Sequence, residues 1–225
     1  MVAALAGIEI TRLSDAIGAE IRGVDLSREL DPDSVAAITH AWHAHQIVLF
    51  RDQDITTAQH IAFARAFGEL EIHPATPKDQ PNREVLRIEH GPKSRGQENA
   101  WHSDVTWREE PSLGSILLAR EVPDCGGDTL FANMTAAYEA LSEAMKEMLA
   151  PLHAVHDFAQ TAATQFAKPI VVEADLKGAN RAVHPVVRTH PETGRKGLYV
   201  NPGMTVRLEG FEADESEALL GFLFG

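Results

Sequence analysis

Trp101-His102-Ser103-Asp104-Val105-Thr106-Trp107 carries the chain's strongest chemical signal. His102 and Asp104 are two residues apart. On a β-strand, residues i and i+2 point to the same face. The spacing therefore predicts an imidazole and a carboxylate projecting side by side from a strand or its edge. Such a pair is two thirds of a facial 2-His-1-carboxylate iron site. That site leaves three metal positions open, which suits O2 and a chelating co-substrate. His-x-Asp alone is a weak signal, because a surface histidine bonded to a nearby carboxylate has the same spacing. The setting strengthens it. A polar, glycine-containing loop over 91–99 precedes the pair, and Trp101 and Trp107 flank it, as in a partly dry pocket that keeps ligands oriented.

Upstream, residues 8–30 read as short strands and turns. Asp31-Pro32-Asp33 opens a helix that continues through Val35, Ile38 and Trp42. QIVLF (46–50) reads as a buried strand. Thr56-Thr57-Ala58-Gln59 starts a second helix with Ile61, Phe63, Ala64 and Phe67 as its apolar stripe and Gly68 as its C-cap. Residues 74–83, with three prolines, read as loop, and Glu84–Glu89 as a strand. Downstream, Ser115–Arg120 reads as a strand. Pro123–Asp128 reads as a tight turn and Thr129-Leu130-Phe131 as the strand after it. Thr135–Leu149 reads as one helix ended near Pro151. Val183–Arg188 and Gly197–Asn201 read as strands joined by a hairpin loop over His190–Arg195, and Asp214–Phe224 as a last helix. Residues 157–180 fit no single pattern. There is no internal repeat, linker or low-complexity tract. The pattern predicts a single domain over 1–225, mainly β with flanking helices, as a β-sandwich or jelly roll. No G-x-G-x-x-G opens a helix after a strand, which disfavours a dinucleotide-binding fold.

The formal net charge is −13 over 225 residues. So acidic a chain is poorly suited to neutralising nucleic-acid phosphates or to lying on an anionic membrane. Cys125 is the single cysteine, so no intrachain disulfide or zinc-ribbon spacing exists. Residues 1–10 lack a basic segment and are interrupted by Gly7 and Glu9, unlike a signal peptide. No run of about 18 apolar residues occurs. A cytoplasmic protein acting on a small molecule is the expectation.

The chain resembles the taurine dioxygenase (TauD/TfdA) family of Fe(II)- and 2-oxoglutarate-dependent dioxygenases, which includes alkylsulfatases and chlorophenoxyacetate dioxygenases. The matching segments are QIVLFRDQ (46–53), FGELEIHP (67–74), WHSDVTW (101–107), GGDTLFANM (126–134), HPVVRTHPETGRKGLYVN (184–201) and ESEALLGFLF (215–224), in family order. The resemblance implies a double-stranded β-helix (jelly-roll) core and an oxidoreductase that hydroxylates a small anionic substrate, releasing succinate and CO2. It implies that His102 and Asp104 ligate Fe(II) and that Thr129 hydrogen-bonds the far carboxylate of 2-oxoglutarate. His73 matches the histidine that contacts a sulfonate or sulfate head. Glu98, beside Asn99, stands at the position of the family's substrate-binding asparagine, and Val105 and Met204 are further substrate contacts. An acid at 98 would repel a sulfonate. Met204 stands where an aromatic is common, and Ala162 near where another is expected. These departures point away from taurine, toward a roomier, more apolar pocket for a longer alkyl chain. By family analogy the assembly is a homodimer or homotetramer.

The resemblance does not use every histidine. His184, His190 and Arg188 read as structural parts of a strand and turn, and His153 and His156 as satisfied polar contacts after a helix end. Gly126-Gly127 reads as a turn with positive φ, not a phosphate loop. The family's second iron histidine and its 2-oxoglutarate-binding arginine follow the ESEALLGFLF helix, one residue before Gly225. The expectation is therefore a jelly roll that is incomplete at its C-terminus, with the third iron ligand unassigned. Two rivals are a non-catalytic jelly-roll binding protein, or inactive homologue, and a zinc hydrolase using His102 and Asp104. The latter is disfavoured by the lack of a nearby H-x-x-x-H or general-base glutamate.

Overall fold

Asp31 accepts the Ser34 backbone N–H and so caps α1 (Pro32–His45), with Pro32 at the first helical position, where its missing N–H costs nothing. Thr56 and Gln59 form a reciprocal capping box at α2 (Thr57–Arg65). In the computed structural model, residues 7–73, 76–89, 100–158 and 181–225 are described. They divide into two compact units: Met1–Ile88 with Ile116–Asn133, and Glu89–Ser115 with Met134–Gly225.

In the first unit, β1 (Glu9–Arg12) pairs antiparallel with β2 (Ala19–Arg22), and β2 pairs parallel with β3 (Val48–Leu49). Ile38 and Ala41 on one face of α1 pack with Ile21, Leu26, Ile55 and Phe63. The predicted strand 46–50 shrinks to two residues for a local reason. Gln46 adopts φ 67° as the C-cap of α1 and donates to the Trp42 carbonyl, so it is not extended.

In the second unit, α3 (Met134–Glu139) and α4 (Glu143–Leu149) replace the single helix expected over 135–149. Ser142 breaks it, capping α4 by accepting the Met145 N–H. β4 (His153–Asp157) lies between β5 (Arg181–Pro185) and β8 (Thr205–Leu208), antiparallel to both, with the register shifting between Val155 and His156. β6 (Val187–Thr189) and β7 (Lys196–Leu198) form the expected hairpin, closed by the His190 N–H donating to the Arg195 carbonyl. α5 (Ala213–Phe224) buries Leu220 against Leu149, Ala154, Val186, Leu198 and Leu208, and Ser216 Oγ accepts the Leu208 N–H.

Among the described residues the fold is mixed α/β, with three small sheets and five helices, rather than mainly β. Three expected strands do not form. At Glu84–Glu89 a turn intervenes: Asn82 has φ 54°, its carbonyl accepts the Val85 N–H, and Gln80 Nε2 donates to the Val85 carbonyl. Ser115–Arg120 and Thr129–Phe131 carry strand-forming residues but join no sheet, and Leu117 and Leu130 are exposed. Apolar content supplies propensity, and only a partner strand converts it into a ladder. No helix among the described residues is long and apolar enough to cross a membrane.

Candidate metal centre

His102 and Asp104 do not lie on a strand; residues 104–107 form a turn. The turn is closed by the Arg108 N–H donating to the Val105 carbonyl at 3.0 Å. Val105 sits at φ 48°, the left-handed region that a β-branched residue rarely enters. The predicted juxtaposition nonetheless holds, outside any sheet: His102 Nε2 lies 3.3 Å from Asp104 Oδ1. His102 Nδ1–H donates to the Ala100 carbonyl at 2.9 Å. That bond fixes the tautomer and makes Nε2 the lone-pair nitrogen, aimed at the carboxylate, as histidines that hold metals are arranged. Ser115 Oγ donates to Asp104 Oδ2 and steadies the second carboxylate oxygen. Both side chains reach solvent, at 38% and 55% of full exposure.

Residues distant in sequence back this turn. The Gly203 N–H donates to the Trp101 carbonyl at 3.0 Å. A Cβ on Gly203 would stand 2.7 Å from His102 Cβ and 3.1 Å from the Trp101 oxygen. Only glycine permits that approach. Asn201 Oδ1 accepts the Met204 N–H, and Thr205 Oγ1 accepts the Asn201 N–H, so the 201–205 turn is itself braced. Met204 thus belongs to the turn that supports His102. Val105 and Trp107 are buried, and Trp107 packs against Phe158 at 5.7 Å between ring centres.

The other expected site residues fall elsewhere. His73 and Thr129 belong to the first unit. His73 is half-buried, and its carbonyl accepts the Thr76 N–H. Thr129 is exposed and follows Gly126 and Gly127, whose φ values of 79° and 75° make the expected turn. Glu98, Asn99 and Ala162 lie outside the described residues. Sequence reasoning missed Ser115 and Gly203. Neither carries a local signal, since each acts on a residue 11 or more positions away.

The pair fits a divalent ion of the kind bound by imidazole and carboxylate. Two donors about 2.1 Å from one ion at a right angle stand about 3 Å apart, close to the 3.3 Å between Nε2 and Oδ1. Among the described residues, no third histidine, cysteine, aspartate or glutamate gathers with them.

Comparison with known proteins agrees with this chemistry. The family model described as taurine catabolism dioxygenase TauD, TfdA family matches residues 9–225. An alpha-ketoglutarate-dependent sulfate ester dioxygenase from Pseudomonas putida is 34% identical, over 97% of this chain and 74% of that protein. An alkylsulfatase from Acinetobacter baylyi is 34% identical, over 96% of this chain and 69% of that protein. The crystal structure of a taurine dioxygenase from Burkholderia xenovorans matches with a TM-score of 0.77 at 36% identity, covering 96% of this chain and 71% of that one.

Proposed function

The chain belongs to the taurine catabolism dioxygenase TauD, TfdA family of 2-oxoglutarate-dependent dioxygenases, and on that premise we propose that it oxidises a small sulfate ester or sulfonate. The observation that carries the proposal is the His102 tautomer: Nδ1–H held by the Ala100 carbonyl, Nε2 facing Asp104 Oδ1. In this reading His102 Nε2 and Asp104 Oδ1 hold Fe(II) together with a third ligand. When bound, Fe(II) with 2-oxoglutarate and O2 supplies the oxidation, in which the co-substrate becomes succinate and CO2 while a substrate C–H bond is hydroxylated. Hydroxylation of the carbon bearing a sulfate ester gives a product that collapses to an aldehyde and sulfate.

The protein's own part is positioning. Ser115 keeps Asp104 Oδ2 hydrogen-bonded, so Oδ1 is the oxygen turned to the metal. Thr129 is assigned to the far carboxylate of 2-oxoglutarate, and His73 to the anionic head of the substrate. Val105 and Met204 line the substrate's path, with Glu98 and Asn99 completing it. The aliphatic Met204, where an aromatic is common, favours a substrate with an extended alkyl chain over taurine. The names of two relatives, a sulfate ester dioxygenase and an alkylsulfatase, favour the sulfate ester class. We further assign both units to one dioxygenase domain with a jelly-roll core, because a single family model runs across both. A cytoplasmic homodimer or homotetramer is the matching cellular form; the lone Cys125 suits a reducing compartment.

The test is succinate formation from 2-oxoglutarate with Fe(II), run against alkyl sulfates, alkyl sulfonates and aryloxy acids. The proposal expects turnover with medium-chain alkyl sulfates and its loss in His102→Ala. Full activity in His102→Ala would refute the iron assignment. Turnover with aryloxy acids alone would refute the substrate class.

A further inference from the structure

The turn that carries Asp104 is strained, and the strain has a visible counterweight. A β-branched residue at φ 48° is strained and persists only where surrounding structure over-determines it. The next residue, Thr106, is wholly buried. Its hydroxyl and its carbonyl are each gripped by a histidine from a neighbouring strand. Its hydroxyl hydrogen-bonds His156 Nδ1 of β4 at 2.9 Å. Its carbonyl accepts from His184 Nε2–H of β5 at 2.8 Å, and the same N–H reaches the Arg108 carbonyl at 2.9 Å. His184 stands opposite Ala154, two residues from His156, and the two rings meet edge to face at 5.2 Å between centres. Tyr199 closes the cluster, 5.8 Å from His156 and 5.2 Å from His184. The pair thus holds the turn from Thr106 to Arg108.

The geometry points to a role for this pair that the dioxygenase reading does not assign. His156 and His184 are positioning residues for the metal centre. By holding Thr106 they lock Val105 in its left-handed conformation and fix the C-terminal end of segment 102–105, whose other end the Gly203 N–H holds at the Trp101 carbonyl; clamped at both ends, the segment keeps the Asp104 carboxylate against His102 Nε2. The inference rests on the metal reading of His102 and Asp104. Burial disfavours the charged form of both rings, and their partners are a hydroxyl and two carbonyls, so the grip contains no ion pair. Relaxing Val105 to negative φ would swing Asp104 away while leaving the sheet of β4, β5 and β8 in register.

The experiment titrates the full 225-residue chain with Mn(II), followed by electron paramagnetic resonance, alongside hydrogen exchange at the Arg108 amide. In His184→Leu, Mn(II) affinity falls at least about tenfold, the range for lost groups that orient a ligand, and the Arg108 amide exchanges faster. In His184→Gln, whose side-chain N–H can replace Nε2–H, affinity stays within about threefold. Thr106→Val, nearly isosteric, removes only the hydroxyl bond to His156 and weakens binding severalfold, so the inference stays testable if the leucine variant does not fold. A folded His184→Leu or Thr106→Val that binds Mn(II) as tightly as the unaltered chain would overturn the positioning role alone. An unaltered chain that binds no Mn(II) would overturn the metal reading, and the positioning role with it.

Discussion

Two histidine pairings in the second unit put the same side chain to opposite uses. At the front of the 104–107 turn, His102 is solvent-accessible, anchored through Nδ1 to a backbone carbonyl, with Nε2 aimed at a carboxylate. Behind it, His184 has Nε2–H held by two backbone carbonyls, and His156 is fully buried with Nδ1 on Thr106. A histidine suited to a metal has one nitrogen committed to protein and the other aimed at a second donor where an ion can enter. A histidine suited to bracing is buried, with one nitrogen held by protein groups and no second donor arranged beside the other. Exposure and tautomer separate the two, while residue type does not.

The contrast can be broken most completely at its front. His102→Ala removes the nitrogen donor and is expected to lower divalent-metal affinity more than a hundredfold, measured by Mn(II) titration, with a modest change in thermal stability because the side chain sits at the surface, 38% exposed. Gly203→Ala attacks the same residue from behind. The added Cβ meets His102 Cβ at 2.7 Å, a contact that neither backbone can relieve cheaply. A stability loss of about 1–3 kcal/mol by chemical denaturation and roughly tenfold weaker Mn(II) binding are expected.

The buried side is sharpened by pH. Burial first, then the neighbouring His184, push His156 down to about 4 from its ordinary 6.5. Between those values the unfolded chain binds the proton and the folded chain does not, so stability is complete above pH 6.5 and falls as pH drops toward 4. The full difference sets a ceiling of roughly 3 kcal/mol. Denaturation at pH 7, 6 and 5 should show this slope in the unaltered protein and a flatter one in His156→Gln. Equal slopes would remove His156 as its source. The smallest expected effect is at Ser115→Ala, which takes one hydrogen bond from Asp104 Oδ2: metal affinity falls a fewfold and stability by less than about 1 kcal/mol.

What could be read from sequence followed locality. The starts of α1 and α2 are written in Asp31-Pro32 and Thr56–Gln59, where cap and helix are neighbours in the chain. The 190–195 hairpin is likewise local. Glu84–Glu89, Ser115–Arg120 and Thr129–Phe131 have strand composition but join no sheet among the described residues, because pairing depends on segments far away in sequence. The site divides the same way. His102 and Asp104 were identifiable by spacing, and they do meet, but in a segment that joins no sheet and runs straight into the turn at 104–107. Gly203 and Ser115 act across long sequence separations that no motif records. His184 and His156 read as structural contacts, yet His156 Nε2 is buried without a hydrogen-bond partner among the described residues, and nothing in the chain's order indicates that the other contacts end on the ligand-bearing turn.

The central claim is that the two pairings differ in which nitrogen is available to a metal. Nitrogen-15 resonances of the histidine rings, recorded before and after Zn(II) is added as a diamagnetic probe, test this directly. The account predicts His102 as the Nδ1–H tautomer, with Nε2 shifting on metal addition, while His156 and His184 keep their resonances. A His102 that carries its proton on Nε2 and does not respond, or a metal-induced shift at His156 or His184, would contradict it.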